Sequence, residues 1–304
     1  MILPGLFSDD DSPVSPRYSP SPSSIEGPIS IYDTKFIFKP LGYNDLYYDP
    51  DNKIHANETC SIYIARTNSD NPVYFAIKAS KLKNQISKEA ENFRNIGKHE
   101  NIIHFISTWV SNGTAFLQME LAEYGSIRPR YLKLPTQEIW KVFAHILSAV
   151  SYIHSKSYMH LDISPSNILQ CSHPIVGNIY KLADFGTTLP VDNFKEDFEG
   201  AGPYVSPETL QYPNTEYPVS SPTDIFSLGV VLLEMVTRKY APRAFPAYGD
   251  LRSGKYDFSK IPKEFSFLSQ MLAPNPMDRP TAEQLLKLEG VQRELNLLHP
   301  YVDF

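Results

Sequence analysis

The sequence predicts an α+β protein of two lobes, a small β-rich one over residues 31–121 and a larger helical one over residues 122–293, with a cleft between them. Three observations predict it. Short runs rich in β-branched and aromatic residues, separated by turn signals, fill the first part. Long stretches of helical periodicity fill the second. Between the first two of those helices, a loop, a strand and a second loop collect acidic and amide side chains at close spacing.

The strand-like runs cover residues 31–38, 61–65 and 73–79, bounded by signals such as Thr67-Asn-Ser-Asp-Asn-Pro72. A helix over 85–96 places Ile86, Glu89, Ala90, Phe93 and Ile96 on one side. Runs over 103–110 and 115–121 complete a unit of five strands and one helix. Past the link Ala122-Glu-Tyr-Gly-Ser126, residues 136–154 read as a long amphipathic helix with Thr136 as N-cap and Glu138 in its first turn. Ser221 caps an almost wholly apolar helix reaching to about Thr237, which must be buried. Residues 265–271 and 281–288 read as the last helices, and 294–304 as a C-terminal tail. Residues 1–30, with Ser-Pro steps at Ser12, Ser15, Ser19 and Ser21, are predicted to be a disordered tail, because they offer too little apolar surface to offset ordering. That tail reads as a plain spacer or as a set of proline-directed phosphorylation sites.

Composition excludes several classes. Lys and Arg number 28 against 34 Asp and Glu, so the basic excess of a nucleic-acid binder is missing. Two cysteines, Cys60 and Cys171, cannot build a disulfide framework, and no Cys/His cluster suggests zinc. The longest apolar run is too short to span a bilayer, and no signal peptide is evident. These features predict a protein of the nucleus or cytoplasm, without a membrane span.

The chemistry lies in His160-Leu-Asp-Ile-Ser-Pro-Ser-Asn167 and Asp184-Phe-Gly186. Phosphoryl transfer from a nucleotide needs such a set. Asp162 would orient the attacking hydroxyl and accept its proton. Asn167 and Asp184 would supply hard oxygen ligands for Mg2+ on the triphosphate of ATP. The spacing matches H-R-D-x-x-x-x-N and D-F-G of protein kinases, in the right order with a strand-like stretch at residues 178–182 between. Phe75-Ala-Ile-Lys78 resembles V-A-I-K, whose lysine binds phosphates and requires an acidic partner. Glu89 is the candidate, because a carboxylate on the inward face of its helix is costly unless paired; Glu91, on the opposite side, is the runner-up.

The resemblance to protein kinases implies a nucleotide cleft bordered by Ile54, His55, Asn57, Ile62, Ala76, Lys78, Glu89, Met119, Glu120 and Ala122. It also exposes departures. The three glycine positions of the phosphate loop fall on His55, Asn57 and Cys60. Asn57 could keep the turn through left-handed backbone angles, whereas His55 and Cys60 would make the loop bulkier and weaken nucleotide affinity. Ser164 stands where serine/threonine kinases carry a lysine that neutralises the transferring phosphoryl group, and Ala201 where a threonine bonds that lysine. Leu161 replaces the Arg of H-R-D, so activity should not require a phosphate on the activation segment; Thr187 and Thr188 lie too close to Asp-Phe-Gly to serve as such sites. Ser206-Pro-Glu208, Arg279 and Asp224 resemble further kinase landmarks.

Within the kinases, the chain is similar to the Wee/Myt group of mitotic inhibitors over roughly residues 40–293. The similarity rests on Lys53-Ile-His-Ala-Asn-Glu-Thr-Cys-Ser-Ile-Tyr63, Ala76-Ile-Lys-Ala-Ser-Lys81, Tyr152-Ile-His-Ser155, His160-Leu-Asp162, Glu199-Gly-Ala-Gly-Pro-Tyr204, Asp224-Ile-Phe-Ser-Leu-Gly229 and Leu251-Arg-Ser-Gly254. It implies a cyclin-dependent kinase as protein substrate, modified on its inhibitory tyrosine, with the adjacent threonine as a second target. Two rival readings stand beside it: a different serine/threonine kinase, and a partner-binding pseudokinase scaffold that the altered phosphate loop would suit. The intact set Lys78, Glu89, Asp162, Asn167 and Asp184 argues against the scaffold.

Overall fold

The computed structural model describes residues 37–298 apart from 44, 175 and 195–201. The tail expected over residues 1–30, most of the strand expected over 31–38, and Ala201 lie outside the described residues.

The first lobe is a six-stranded antiparallel sheet of β1 (Lys39–Pro40), β2 (Leu46–Ala56), β3 (Cys60–Thr67), β4 (Tyr74–Ser80), β5 (Phe105–Ser111) and β6 (Thr114–Glu120), in the order β1-β2-β3-β4-β6-β5. Helix α1 (Lys83–Ile96) packs against β4, β5 and β6. Five strands were expected, and two corrections follow. Residues 37 and 38 are not in a strand, and β2 was missed. Its Asp49-Pro-Asp-Asn52 reads as a turn. In the structure the fully buried Asp49 accepts the backbone N–H groups of Ile37, Asp51 and Asn52, so the turn chemistry becomes an irregularity inside a long strand. The pairing register of β2 with β3 accordingly shifts after Tyr48.

Alternation along β3 and β4 sorts side chains by face. Ala65 and Ile77 join Leu46 in a small cluster on one side, while Ile64 and Ala76 cluster with Leu121 on the other. Ile62 opposes Lys78, and Ala76 opposes Met119, so these four positions share the second face.

The second lobe contains α2 (Thr136–Ser155), β7 (Tyr158–Met159), β8 (Ile168–His173), β9 (Gly177–Leu182), β10 (Leu189–Pro190), α3 (Pro207–Gln211), α4 (Pro222–Thr237), α5 (Ala247–Arg252), α6 (Leu268–Met271), α7 (Ala282–Leu286) and α8 (Glu289–Leu298). Helix α2 starts one residue earlier than a Thr136 cap would give: Pro135 holds the N-cap position, and no side chain caps it. Helix α4 is buried along almost its whole length, as its composition requires. The helix expected over 265–271 is only the short α6 after a 3-10 turn at Lys263–Phe265. Thr281 instead caps α7 through a reciprocal pair with Gln284. Helix α8 crosses the boundary placed at 293, and it packs on α2 with Val291, Leu295 and Leu298 buried, so the helical lobe extends beyond that boundary. A continuous apolar core joins the lobes, from Ile86, Phe93 and Ile96 of α1 through Ile102, Ile103 and Phe185 to Phe143 and Phe226. That shared core fixes the relative position of the two walls of the cleft. Among the described residues no helix is long and apolar enough to cross a membrane.

Candidate active site

The short loop from β7 to β8 is built on Asp224. Its buried carboxylate accepts the backbone N–H groups of His160 and Leu161 at 2.8 Å each and meets His154 Nε2 at 2.9 Å. Burial works against its charge, but these bonds hold its carboxyl below the usual range. Leu161 can therefore sit at φ 69°, a strained value for a branched residue. The His160 ring is fully buried, which favours its neutral form. It meets Ala183 O through Nε2 at 3.1 Å and accepts the Asp162 N–H at Nδ1. That pattern requires the proton on Nε2, and it ties the loop to the residue before Asp184.

Asn167 donates Nδ2–H to both the carbonyl (2.8 Å) and Oδ2 (2.7 Å) of Asp162. With its nitrogen committed, the amide oxygen is the atom left for a cation. The Asp162 carboxyl is pushed up to about 7, by burial first and by the Asp184 carboxylate second, against the pull of Asn167 and Lys78.

Lys78 Nζ on β4 lies 2.8 Å from Glu89 Oε2 and 3.1 Å from Asp184 Oδ1. Glu89 is 2% exposed, whereas Glu91 is exposed on the outer face. Burial works against the Lys78 ammonium, but the two carboxylates outweigh it and raise its pKa, so it is charged at any physiological pH. Asp184, at φ 64°, is drawn below the usual carboxylate range by Lys78 and the Gly186 N–H, although desolvation opposes this. Its side chain is 42% exposed.

Asp162, Asn167 and Asp184 thus meet Lys78 and Glu89 across the cleft. Two hard oxygen donors, Asn167 Oδ1 and the free Asp184 oxygen, suit a divalent cation whose remaining ligands are phosphate oxygens and water.

Among the expected nucleotide neighbours, Ile62, Ala76 and Met119 lie on the face that carries Lys78. Ile54 is 41% exposed on β2, beside His55, which pairs with Ile62. Glu120 is committed elsewhere. Its carboxylate binds Lys181 at 2.7 and 2.9 Å and the His104 N–H, and its own N–H donates to His104 O. Ala122 follows at the link between lobes, its carbonyl accepting the Gly125 N–H.

The phosphate loop corrects one expectation. None of His55, Asn57 and Cys60 has a positive φ. His55 belongs to β2 and Cys60 opens β3, so the turn spans only 57–59. Asn57 holds it with its side chain, through Oδ1 to the Thr59 and Cys60 N–H groups. Burial pushes the Cys60 thiol up, away from thiolate reactivity.

Sequence reasoning missed Asn92 and Phe93 as site supports. Asn92 donates to the carbonyls of Phe185 (2.8 Å) and Thr188 (3.0 Å), and Phe93 packs on Phe185 with ring centroids 4.6 Å apart. An amide three residues after Glu89, on the buried side of the same helix, was the available signal. The aliphatic side chain of Leu161, with Met159 and Val219, packs against Leu189, Val191, Phe194 and Tyr212, so apolar contacts hold the start of the activation segment. Thr187 donates to His160 O and Thr188 is fully buried, so neither presents a free hydroxyl. Glu208 and Arg279 form a buried two-pronged pair at 2.7 and 2.8 Å. A separate groove of about 780 Å³ beyond α1, lined in part by Arg94, Lys98, His99 and His104, contains none of the five central residues.

Comparison with known proteins agrees with this geometry. The model of the protein kinase domain matches residues 58–289. A probable protein kinase of Dictyostelium discoideum is 31% identical over 273 residues, 83% of this chain and 74% of that relative. A membrane-associated tyrosine- and threonine-specific cdc2-inhibitory kinase of Caenorhabditis briggsae is 32% identical over 263 residues, 79% of this chain and 37% of the relative. A Wee1-like protein kinase of Oryza sativa subsp. japonica is 31% identical over 207 residues, 67% and 38% of the two chains. The chain spans under half the length of these last two relatives. With the domain model covering most of the chain, the chain belongs to the protein kinase family, with similarity to its Wee-like members.

Proposed function

We propose that this kinase is a Wee-type mitosis inhibitor, transferring the γ-phosphoryl group of ATP to the inhibitory tyrosine of a cyclin-dependent kinase, with the adjacent threonine as a second target, in the nucleus or cytoplasm. The observation that carries the transfer is the convergence of Lys78, Glu89 and Asp184 with the Asp162–Asn167 pair. The similarity to cdc2-inhibitory and Wee1-like kinases supports the target.

In this reading Glu89 steadies Lys78, which contacts the α- and β-phosphates. Asn167 and Asp184 would hold Mg2+, which would supply charge neutralisation at the phosphates. Ile54, Ile62, Ala76 and Met119 border the base, together with the carbonyl of Glu120 and the backbone of Ala122. Asp162 receives the hydroxyl proton, and the Asn167 amide aims its carboxylate. With Ser164 in place of a lysine, neutralisation falls on the cation and Lys78.

The test is phosphate incorporation into a cyclin-dependent kinase–cyclin complex, compared with complexes whose inhibitory tyrosine is replaced by Phe or whose adjacent threonine is replaced by Ala. Asp162→Asn protein serves as the inactive control. Loss of incorporation with the Phe complex supports the reading. Undiminished incorporation with both replaced sites, or phosphorylation confined to serine and threonine peptides, would overturn it.

A further inference from the structure

A phosphate loop works by offering backbone N–H groups to an anion, which is why small residues and unpartnered amides are wanted there. In this chain the amides of Asn57, Thr59 and Cys60 are occupied. Asn57 Oδ1 accepts the N–H of Thr59 at 2.9 Å, the N–H of Cys60 at 2.7 Å and the Thr59 hydroxyl at 3.1 Å. The Asn57 N–H donates to Cys60 O at 2.9 Å, closing the turn. From the outside, the buried Ser80 hydroxyl donates to Thr59 O at 2.7 Å and ties the tip to β4. Cys60 is paired across β3–β4 with that same Ser80, in the strand pair that carries Lys78 two residues away, so the capped amides lie at the Lys78 end of the cleft.

We propose that Asn57 is an internal competitor of the nucleotide phosphates: its side-chain oxygen occupies the loop amides that a triphosphate would use, and its displacement sets the affinity for nucleotide. The reasoning rests on the kinase reading of the cleft and is independent of which protein is phosphorylated. A neutral amide oxygen is a weaker acceptor than a phosphate oxygen, so a phosphate can displace it, but one side-chain rotation and the bonds it forfeits must be set against each binding event. Because Asn57 is exposed and its bonds are local to residues 57–60, removing it leaves the two strands paired.

The test is calorimetric titration of the full chain with Mg-ADP, Mg-ATP and adenosine. Asn57→Ala frees the amides without adding a flexible glycine, and it should tighten both nucleotides about three- to tenfold while leaving adenosine unchanged. Asn57→Asp keeps the same shape and adds negative charge at the phosphate position, and it should weaken both nucleotides by a similar factor, again without effect on adenosine. Thermal unfolding of ligand-free Asn57→Ala should fall by no more than about 4 °C, since the lost bonds are local to an exposed turn, and Asn57→Asp should match the parent. Unchanged or weaker nucleotide binding by Asn57→Ala overturns the proposal, as does an equal gain for adenosine, which would mean that the loop had merely opened. If the parent chain binds adenosine but neither nucleotide, the kinase reading itself fails.

Discussion

Replacing Asp162 by Asn should stabilise the fold while abolishing phosphoryl transfer. The carboxyl is held at about 7 against an ordinary value of 3.8, by burial and then by Asp184. An acid whose pKa is raised in the folded state keeps a proton that the unfolded chain releases, so stability falls as pH climbs between the two values. Three pH units at about 1.4 kcal/mol each make the ionised Asp162 cost about 4 kcal/mol at pH 8, as an upper limit. At pH 5 the native carboxyl keeps a proton that the unfolded one has released, so about 1.6 kcal/mol of that cost is present and the rest accrues up to pH 7. The amide of the Asp162→Asn variant carries no such cost, and its oxygen can still accept the Asn167 Nδ2–H bond. Urea unfolding of parent and Asp162→Asn protein at pH 5 and pH 8 reads the effect directly. The variant should be the more stable at pH 8, and its advantage should be about 3 kcal/mol larger there than at pH 5. An advantage that does not depend on pH, or a variant weaker than the parent at pH 8, would refute the reasoning. The same carboxyl governs activity: kcat/KM should rise about tenfold per unit below pH 7 and then level off.

Asn92→Asp replaces a donor facing two carbonyls by an acceptor, and it should cost about 1–3 kcal/mol in urea unfolding and lower kcat at least about tenfold. Arg279→Met leaves Glu208 buried without its partner and should cost about 3–5 kcal/mol, measured the same way. Treatment with a phosphatase should leave the transfer rate within about a factor of two, because apolar contacts around Leu161 hold the start of the activation segment. Leu161→Arg, which buries an unpaired guanidinium among those contacts, should lower the rate more than about tenfold.

Lys78, Asp162, Asn167 and Asp184 were legible because each belongs to a short motif whose spacing is fixed by the backbone around it. Asp162 and Asn167 are five apart because the loop between them folds back far enough for one amide to bond the main-chain carbonyl and one carboxylate oxygen of Asp162. The partner of Lys78 was legible from burial, since Glu89 falls on the same helical face as Ile86, Ala90 and Phe93. What the sequence hid were interactions between distant segments. The turn-like Asp49-Pro-Asp-Asn52 lies within a strand because a carboxylate gathers its amides, including one from Ile37. Asn92 looked like an ordinary helix polar residue, because its acceptors lie more than ninety positions away. Asn57 was read through backbone propensity, and the structure shows its side chain as the active part. The short α5 carries too few turns for periodicity to separate it from a loop, whereas Val291, Leu295 and Leu298 of α8 recur at helical spacing and were an available signal.

The energetics of the cleft bear on whether it is used. A chain that only displayed a kinase-shaped surface to partners would gain by neutralising Asp162, since an amide fits the same hydrogen bond without the cost of a buried charge. Glu89 is likewise almost wholly buried, with Oε1 left without a hydrogen-bond partner and Oε2 bound to Lys78 at 2.8 Å. Both arrangements are unfavourable for the isolated fold. A cation entering the cleft would offset the charge that Asp162 and Asp184 concentrate there. Stability is therefore set aside at the positions where phosphoryl transfer needs it. The catalytic loop offers no cation of its own at Ser164, so the site depends for its balance of charge on what it binds.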